Sequence, residues 1–189
     1  MIHIKGVIGE EDNTLISIVS KIQDEKAPIH VLIDSIGGDL DEGISIYKYL
    51  KTQNVTTECV NNCASSASLI FLAGTKRIAG CPLMIHNPWT TMQGNSSEFK
   101  DIIKFLEGAE KSIRDIYSAH TSVAEEVLAE LMDNETYISP SQAVSLGFAT
   151  EAKQIALALI NLNTNEKMSK KSSLLDFLDW RKSKKEKPE

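Results

Sequence analysis

The sequence predicts an α/β fold with a mostly parallel sheet, on three observations. Strand, glycine-bearing turn and helical pattern follow one another twice, over 29–50 and over 56–74. The strand at 29–33 is β-branched and mostly apolar, as a strand covered on both faces is. A single long helical pattern then occupies 98–117. Repeated strand–helix units return by right-handed crossovers and so make parallel neighbours.

Each element has its own local signal. Residues 4–8 read as a short strand, closed by the turn Gly9-Glu10-Glu11-Asp12-Asn13. Leu15, Ile18, Val19 and Ile22 recur at helical spacing, with Asp12 or Asn13 as the expected N-cap and Pro28 as the stop. After the strand at 29–33, Asp34-Ser35-Ile36-Gly37-Gly38-Asp39 reads as a turn, and Leu40, Ile44, Tyr47 and Leu50 as one helix face. Residues 56–60 are the next strand, followed by Asn61-Asn62-Cys63-Ala64-Ser65 and an apolar helix up to Gly74. Short strands at 77–79 and 83–86 flank the turn Gly80-Cys81-Pro82. On the long helix, Phe99, Ile102, Ile103, Leu106, Ala109, Ile113, Ile116 and Tyr117 form a stripe broad enough for a core or a partner. Ser122 with Glu125 has capping-box spacing for a helix at 123–132. Ser139-Pro140-Ser141-Gln142 is a stronger start, with a hydroxyl cap, proline at the first position and Gln at the third, and Gly147 closes that helix. Residues 148–151 read as a last short strand.

Composition bounds the function. The chain has 189 residues, 42% apolar and 24% charged, which suits one globular domain and excludes wholesale disorder. The longest apolar stretch, 67–73, is far short of a membrane span. The N-terminus has no basic segment followed by an apolar one, so no secretory signal is read. Cys59, Cys63 and Cys81 are too few for a disulfide framework, and a reducing, cytoplasmic setting is expected. Residues 1–165 carry 12 basic and 21 acidic side chains, a balance of −9 that does not suit a nucleic-acid binder. Residues 166–189 reverse this to +3, with 8 basic and 5 acidic side chains. The expected division is a domain over 1–162, then a linker and a basic tail over 163–189. In the tail, Leu174, Leu175, Phe177, Leu178 and Trp180 would line one side of a short helix.

Three places can carry chemistry. The paired glycines Gly37-Gly38, after a buried strand and before a helix, present bare N–H groups that suit a developing negative charge. They are equally a tight structural turn. A phosphate cradle is disfavoured, because no Gly-Lys-Ser/Thr ending follows. The serines Ser65, Ser66 and Ser68 sit at a second strand-to-helix junction, where a serine is either an N-cap or a nucleophile beside a free N–H. His86 ends the strand in Met84-Ile85-His86-Asn87-Pro88, where it is either structural or a rigidly mounted base.

Order and spacing together resemble the Clp-type serine peptidases, the ClpP family. The matching residues are Ser35-Ile36-Gly37-Gly38, Gly43-Ile44-Ser45-Ile46-Tyr47, Cys63-Ala64-Ser65, Ala73-Gly74 and Met84-Ile85-His86-Asn87-Pro88. Ala119-His120-Thr121, Tyr137-Ile138-Ser139-Pro140 and Gly147-Phe148 resemble its later blocks. The resemblance covers about 3–151 and implies a spiral of ββα units, shared with the crotonase fold, from which the long helix projects. It implies Ser65 as nucleophile, with Ser66 and Ser68 as rivals, and His86 as general base. Glu135 takes the acid's position, where the cellular enzymes have Asp, with Asp133 as the fallback. Gly38 and Ser66 would supply the oxyanion-hole N–H groups. No cofactor and no metal are implied. Polypeptide substrates and stacked rings of subunits, heptameric by analogy, are.

The departures have a direction. Asn61 replaces a usual glycine, and the glycine-rich lead into the long helix becomes Met92-Gln93-Gly94-Asn95-Ser96-Ser97. The chain opens almost at its first strand, so the family's axial loops are expected to be absent. Glu135 and the Ser66-Ala67-Ser68 pattern look like the phage head maturation proteases, which cut capsid and scaffold proteins without an ATPase. The alternatives are the proteolytic subunit of an ATP-dependent Clp protease, a crotonase-like acyl-CoA enzyme that needs no Ser–His pair, and a non-enzymatic shell protein. A Ser–Lys peptidase is disfavoured by Met84-Ile85-His86-Asn87-Pro88. A zinc site from Cys59, Cys63, Cys81 and His86 lacks a second close ligand pair.

Overall fold

The computed structural model describes residues 1–25 and 27–153. The expected boundary at 162 and the expected tail helix lie outside the described residues.

Five parallel strands form the main sheet in the order β1 (Ile2–Ile8), β2 (His30–Gly38), β3 (Thr56–Ala64), β4 (Lys76–Ala79) and β7 (Glu151–Ala152). The strand β3 has two successive partners. Its first half pairs with β4, and Cys63 and Ala64 pair with β5 (Leu83–Ile85). An antiparallel strand, β6 (Thr136–Ile138), completes the sheet on β5. The α/β spiral with a mostly parallel sheet is therefore the fold the sequence predicts.

The helices form where their caps and apolar faces coincide. In α1 (Leu15–Gln23) and α2 (Leu40–Lys51), Ile18, Ile22, Ile46, Tyr47 and Leu50 are buried. Asp39 caps α2 by accepting from the Glu42 N–H at 2.8 Å. Acids in its first turn and lysines in its last complement the helix dipole. The short α3 (Ser66–Phe71) is buried throughout. The long helix α4 (Ser96–Ser118) opens with a capping box between Asn95 and Glu98. Only Ile113 and Tyr117 of α4 are buried, both near its C-terminal end. Phe99, Ile103 and Phe105 stay 44–59% exposed, so the first half projects its apolar stripe away from this subunit's core. α5 (Glu125–Asp133) and α6 (Pro140–Leu146) follow, and the Ser139–Gln142 capping box forms. No helix among the described residues is long and apolar enough to cross a membrane.

Several local expectations are corrected. Ser35-Ile36-Gly37-Gly38 is not a turn but the end of β2. Register shifts at Lys5/Val7 and Ile33/Ser35 let it stay paired, Val7 with Gly37 and Ile8 with Gly38. The strand β3 likewise runs on to Ala64. The N-cap of α1 is Thr14, because Asn13 is buried and spends its amide on the Lys5 and Val7 carbonyls. The Ser122–Glu125 box does not form, and Ala124 holds the cap position without a side-chain bond. Phe148 and Ala149 plug the core instead of joining a strand, which is confined to Glu151–Ala152. Strand β6 had no signal of its own beyond Tyr137 and Ile138.

Two polar anchors tie the distal elements down. Arg77 donates to the carbonyls of Gly74, Gly147 and Phe148. The Tyr47 hydroxyl on α2 meets His120 Nε2, just beyond α4, at 2.8 Å. Burial, then the nearby Lys51 and Arg77 charges, push the His120 pKa down from 6.5 to about 4. An unfolded chain therefore binds a proton at His120 that the folded one resists. Stability is expected to fall as pH drops from about 6.5 towards about 4 and to level off below, by this group's contribution. Urea midpoints measured across that range should show the slope, and His120→Gln should flatten it.

Candidate active site

The strand β3 ends and α3 begins at Ser65, and the backbone there is forced. Ser65 has φ 56° and ψ −131°, a conformation that non-glycine residues adopt at a cost of about 1–3 kcal/mol. This sharp strand-to-helix turn lifts the Ser65 side chain out of the sheet end. Its neighbours over-determine it. The Ser65 N–H donates to the Met84 carbonyl at 2.9 Å. The Ser65 carbonyl accepts from both the N–H and the hydroxyl of Ser68, at 2.9 and 2.7 Å.

Two close approaches leave no freedom around the turn. A Cβ on Gly37 would lie 2.6 Å from the Ser65 Cβ, and one on Gly43 of α2 would lie 2.7 Å from the Ser66 Cβ. Real Cβ atoms do not come that near. The sequence pattern around both glycines thus has a steric reason.

The structure separates the three serines. Ser66 and Ser68 are buried, while Ser65 is half-buried. The Ser66 hydroxyl donates to the Gly38 carbonyl at 3.4 Å. Ser68 spends its proton on the Ser65 carbonyl and meets the Tyr117 hydroxyl at 2.8 Å. Only Ser65 faces a histidine, with its Oγ 2.8 Å from His86 Nε2. His86 is delivered by β5, whose register places Met84 beside Ala64 one residue before it is needed.

The expected acid stands apart. Glu135 lines the same cleft as Ser65 and His86 but makes no hydrogen bond to the imidazole. It is exposed and sits at φ 45° just beyond α5. Asp133 makes no hydrogen bond to His86 either; it accepts from the Asn87 side-chain amide at 2.7 Å and so ties down the segment that follows the histidine. Gly38 and Ser66, the expected oxyanion donors, line the cleft as well. The cleft has a volume of about 630 Å³, with Leu69, Trp89 and Ile113 among its apolar walls.

A family model for Clp protease matches residues 4–155. The chain belongs to the Clp protease family. An ATP-dependent Clp protease proteolytic subunit from Bdellovibrio bacteriovorus is 30% identical to it over 153 residues, covering 75% of this chain and 72% of that protein. This Clp protease is accordingly a serine-type peptidase, and the crotonase-like and Ser–Lys readings fall away.

The cysteines lie in the core of this Clp protease. All three are free and buried, and Cys59 Sγ donates to the Cys81 carbonyl at 3.5 Å. Burial pushes the Cys63 thiol up, keeping it neutral. Among the described residues no group of His, Cys, Asp and Glu is arranged to hold a metal ion, and His86 Nε2 is turned to Ser65.

Sequence reasoning missed Tyr117, which the stripe on the long helix counted only as an apolar contact. Its hydroxyl was the available signal, because a buried tyrosine oxygen needs a partner. Burial pushes its pKa up, so it stays protonated and donates to Ser68. The chain Tyr117–Ser68–Ser65 therefore anchors the strained turn to α4. Tyr117→Phe is expected to cost about 1 kcal/mol in urea unfolding. It should also slow labelling of Ser65 by a fluorophosphonate several-fold; labelling at the wild-type rate would deny Tyr117 a positioning role.

Proposed function

We propose that the protein is an endopeptidase in which Ser65, His86 and Glu135 act as nucleophile, general base and orienting acid. The observation that carries this is the 2.8 Å contact between Ser65 Oγ and His86 Nε2 in the cleft. Ser65 Oγ attacks the scissile carbonyl while its proton passes to His86 Nε2. The Gly38 and Ser66 N–H groups receive the oxyanion. His86 then gives the proton to the leaving amine, and water, deprotonated by His86, releases the acyl group from Ser65. Glu135 supports the imidazole from its other nitrogen, and the one extra methylene relative to Asp leaves it more torsional freedom to reach there.

Polypeptides are the substrate class, and the working particle is an oligomer. The projecting half of α4 supports this, since Phe99, Ile103 and Phe105 expose more apolar surface than a lone subunit needs. Stacked rings, heptameric by analogy, fit that helix. For biology we favour maturation of a phage prohead, with capsid or scaffold proteins as substrates and no ATPase, in the cytoplasm of an infected bacterium. Glu135 and Ser66-Ala67-Ser68 support it. The second reading, a proteolytic subunit serving an unfolding ATPase, is supported by the similarity to the Bdellovibrio ATP-dependent Clp protease proteolytic subunit.

The deciding assay incubates the purified protein, without ATP, with unfolded casein and with itself. Ser65→Ala and His86→Ala are expected to lose several orders of magnitude in rate, and Glu135→Gln less. Activity surviving in Ser65→Ala would remove the assignment. Casein cleavage that requires an ATP-hydrolysing partner would favour the second biological reading.

Assembly is tested separately. Phe99→Asp with Ile103→Asp should shift the light-scattering mass to that of smaller species and lower the peptidase rate. A wild-type protein that is a stable, active monomer would contradict the ring.

A further inference from the structure

A second hollow, of about 310 Å³, lies beside the catalytic cleft and shares Ile36 and Met84 with it. The sheet explains the position. Ser35 pairs with Cys63, Ala64 with Met84, and Met84 with Tyr137. Ile36, Ala64, Met84 and Tyr137 thus follow one another across four strands, one residue before Ser65. Ile36 and Tyr137 are 64% and 66% exposed, large apolar side chains held in solvent next to the reacting centre.

One end of the hollow is polar. Asn61 and Asn62 line it, and each donates its side-chain amide to one oxygen of Asp34, both at 2.9 Å. These two bonds hold the Asp34 carboxyl below the usual carboxylate range, so it is charged at neutral pH. With a further bond from the Asn62 backbone N–H, the carboxylate still has acceptor capacity left, and each asparagine keeps its amide oxygen as an acceptor. Lys5 is the partner of Asp34 across β1, yet the two form no ion pair.

We propose that this hollow is a substrate subsite for a lysine or arginine side chain of the polypeptide being cut. The aliphatic stem lies against Ile36, Met84 and Tyr137, and the cationic head reaches Asp34 and the amide oxygens of Asn61 and Asn62. Both halves of the argument are needed. A wholly aliphatic side chain would strip water from the polar end, where the acceptors that Asn61, Asn62 and Asp34 leave unfilled would gain no donor, which is costly. An acidic side chain would be repelled. A long basic side chain matches an apolar wall with an acidic end, because its stem and head differ in the same way. The balance of −9 over residues 1–165 favours the approach of such substrates.

The proposal rests on Ser65 as the nucleophile, and the test separates the two. Short peptides carrying lysine, or its uncharged near-isostere norleucine, at successive positions are used to slow fluorophosphonate labelling of Ser65. The same peptides are followed for cleavage by mass spectrometry. At one position lysine should protect at about fivefold lower concentration than norleucine. The ratio should fall to about one in Asp34→Asn and rise in Asn62→Asp, and it should shrink with added salt. Labelling of Ser65 with no lysine preference at any position, or a preference unmoved in both variants, would overturn the subsite and leave the nucleophile standing. No labelling of Ser65 at all would remove the nucleophile and the subsite together.

Discussion

The site depends on one steric constraint, the close approach of two glycines to the turn at Ser65 and Ser66. Gly37 brings the end of β2 against Ser65, and Gly43 brings the first turn of α2 against Ser66, in each case with no room for a Cβ. The two contacts flank the junction between β2 and α2. They fix where β3 must stop and where α3 must begin. Any wider spacing would let Ser65 relax from φ 56° into an ordinary helix start, with its hydroxyl capping the helix instead of facing His86.

The sheet then brings His86 to Ser65 without further strain. Because β3 exchanges β4 for β5 partway along, the strand end that carries Ser65 is paired with the strand that leads to His86. The Ser65 N–H bonded to the Met84 carbonyl is that pairing's last rung. Distance between the two residues in the chain, and hence loop entropy, is irrelevant once the rung is made. From the other side, Tyr117 and Ser68 carry the constraint to α4, so the helix whose far half is apolar and exposed is mechanically joined to Ser65.

Much of this was legible in the sequence, for physical reasons that can be named. The parallel sheet followed from apolar strands alternating with helical periodicity, and α6 from a hydroxyl, a proline and a glutamine at fixed offsets. The pairing of Ser65 with His86 came from family spacing, and the geometry gives that spacing a cause. The errors share one as well. Gly37 and Gly38 suggest a turn because glycine is the commonest turn signal, whereas here both keep a bulged strand paired, Gly38 packing against Ile8 and Gly37 clearing space for Ser65. Asn13 and Ser122 were read as caps because their types favour caps. Local preference cannot show that Asn13 is claimed by the β1 carbonyls, or that the chain at Ser122 takes another path. The strand β6 is three residues long and exists because β5 offers it an edge, which is tertiary information.

Strain is distributed unevenly, and its placement is informative. Among the described residues, four that are not glycine have positive φ: Glu11, Asn54, Ser65 and Glu135. Glu11 lies in the turn after β1 and Asn54 in the turn before β3, where such geometry simply reverses the chain. The other two line one cleft. Each costs about 1–3 kcal/mol unless its surroundings impose it. At Ser65 the surroundings are visible: a glycine contact at Ser65 and another at its neighbour Ser66, three hydrogen bonds and a fully buried helix. At Glu135 they are fewer. The residue is exposed, follows the C-cap of α5, and its N–H returns to the Met132 carbonyl at 3.1 Å. The buried Leu131 and Met132 before it and Thr136 after it fix the chain on either side, so the bend falls on Glu135 itself. A bend imposed from both sides aims the side chain more narrowly than an ordinary surface loop would. Ser65 and His86 are thus locked by the subunit's own core, whereas Glu135, the acid we propose, lines the cleft on a bent backbone with its tip making no hydrogen bond to His86.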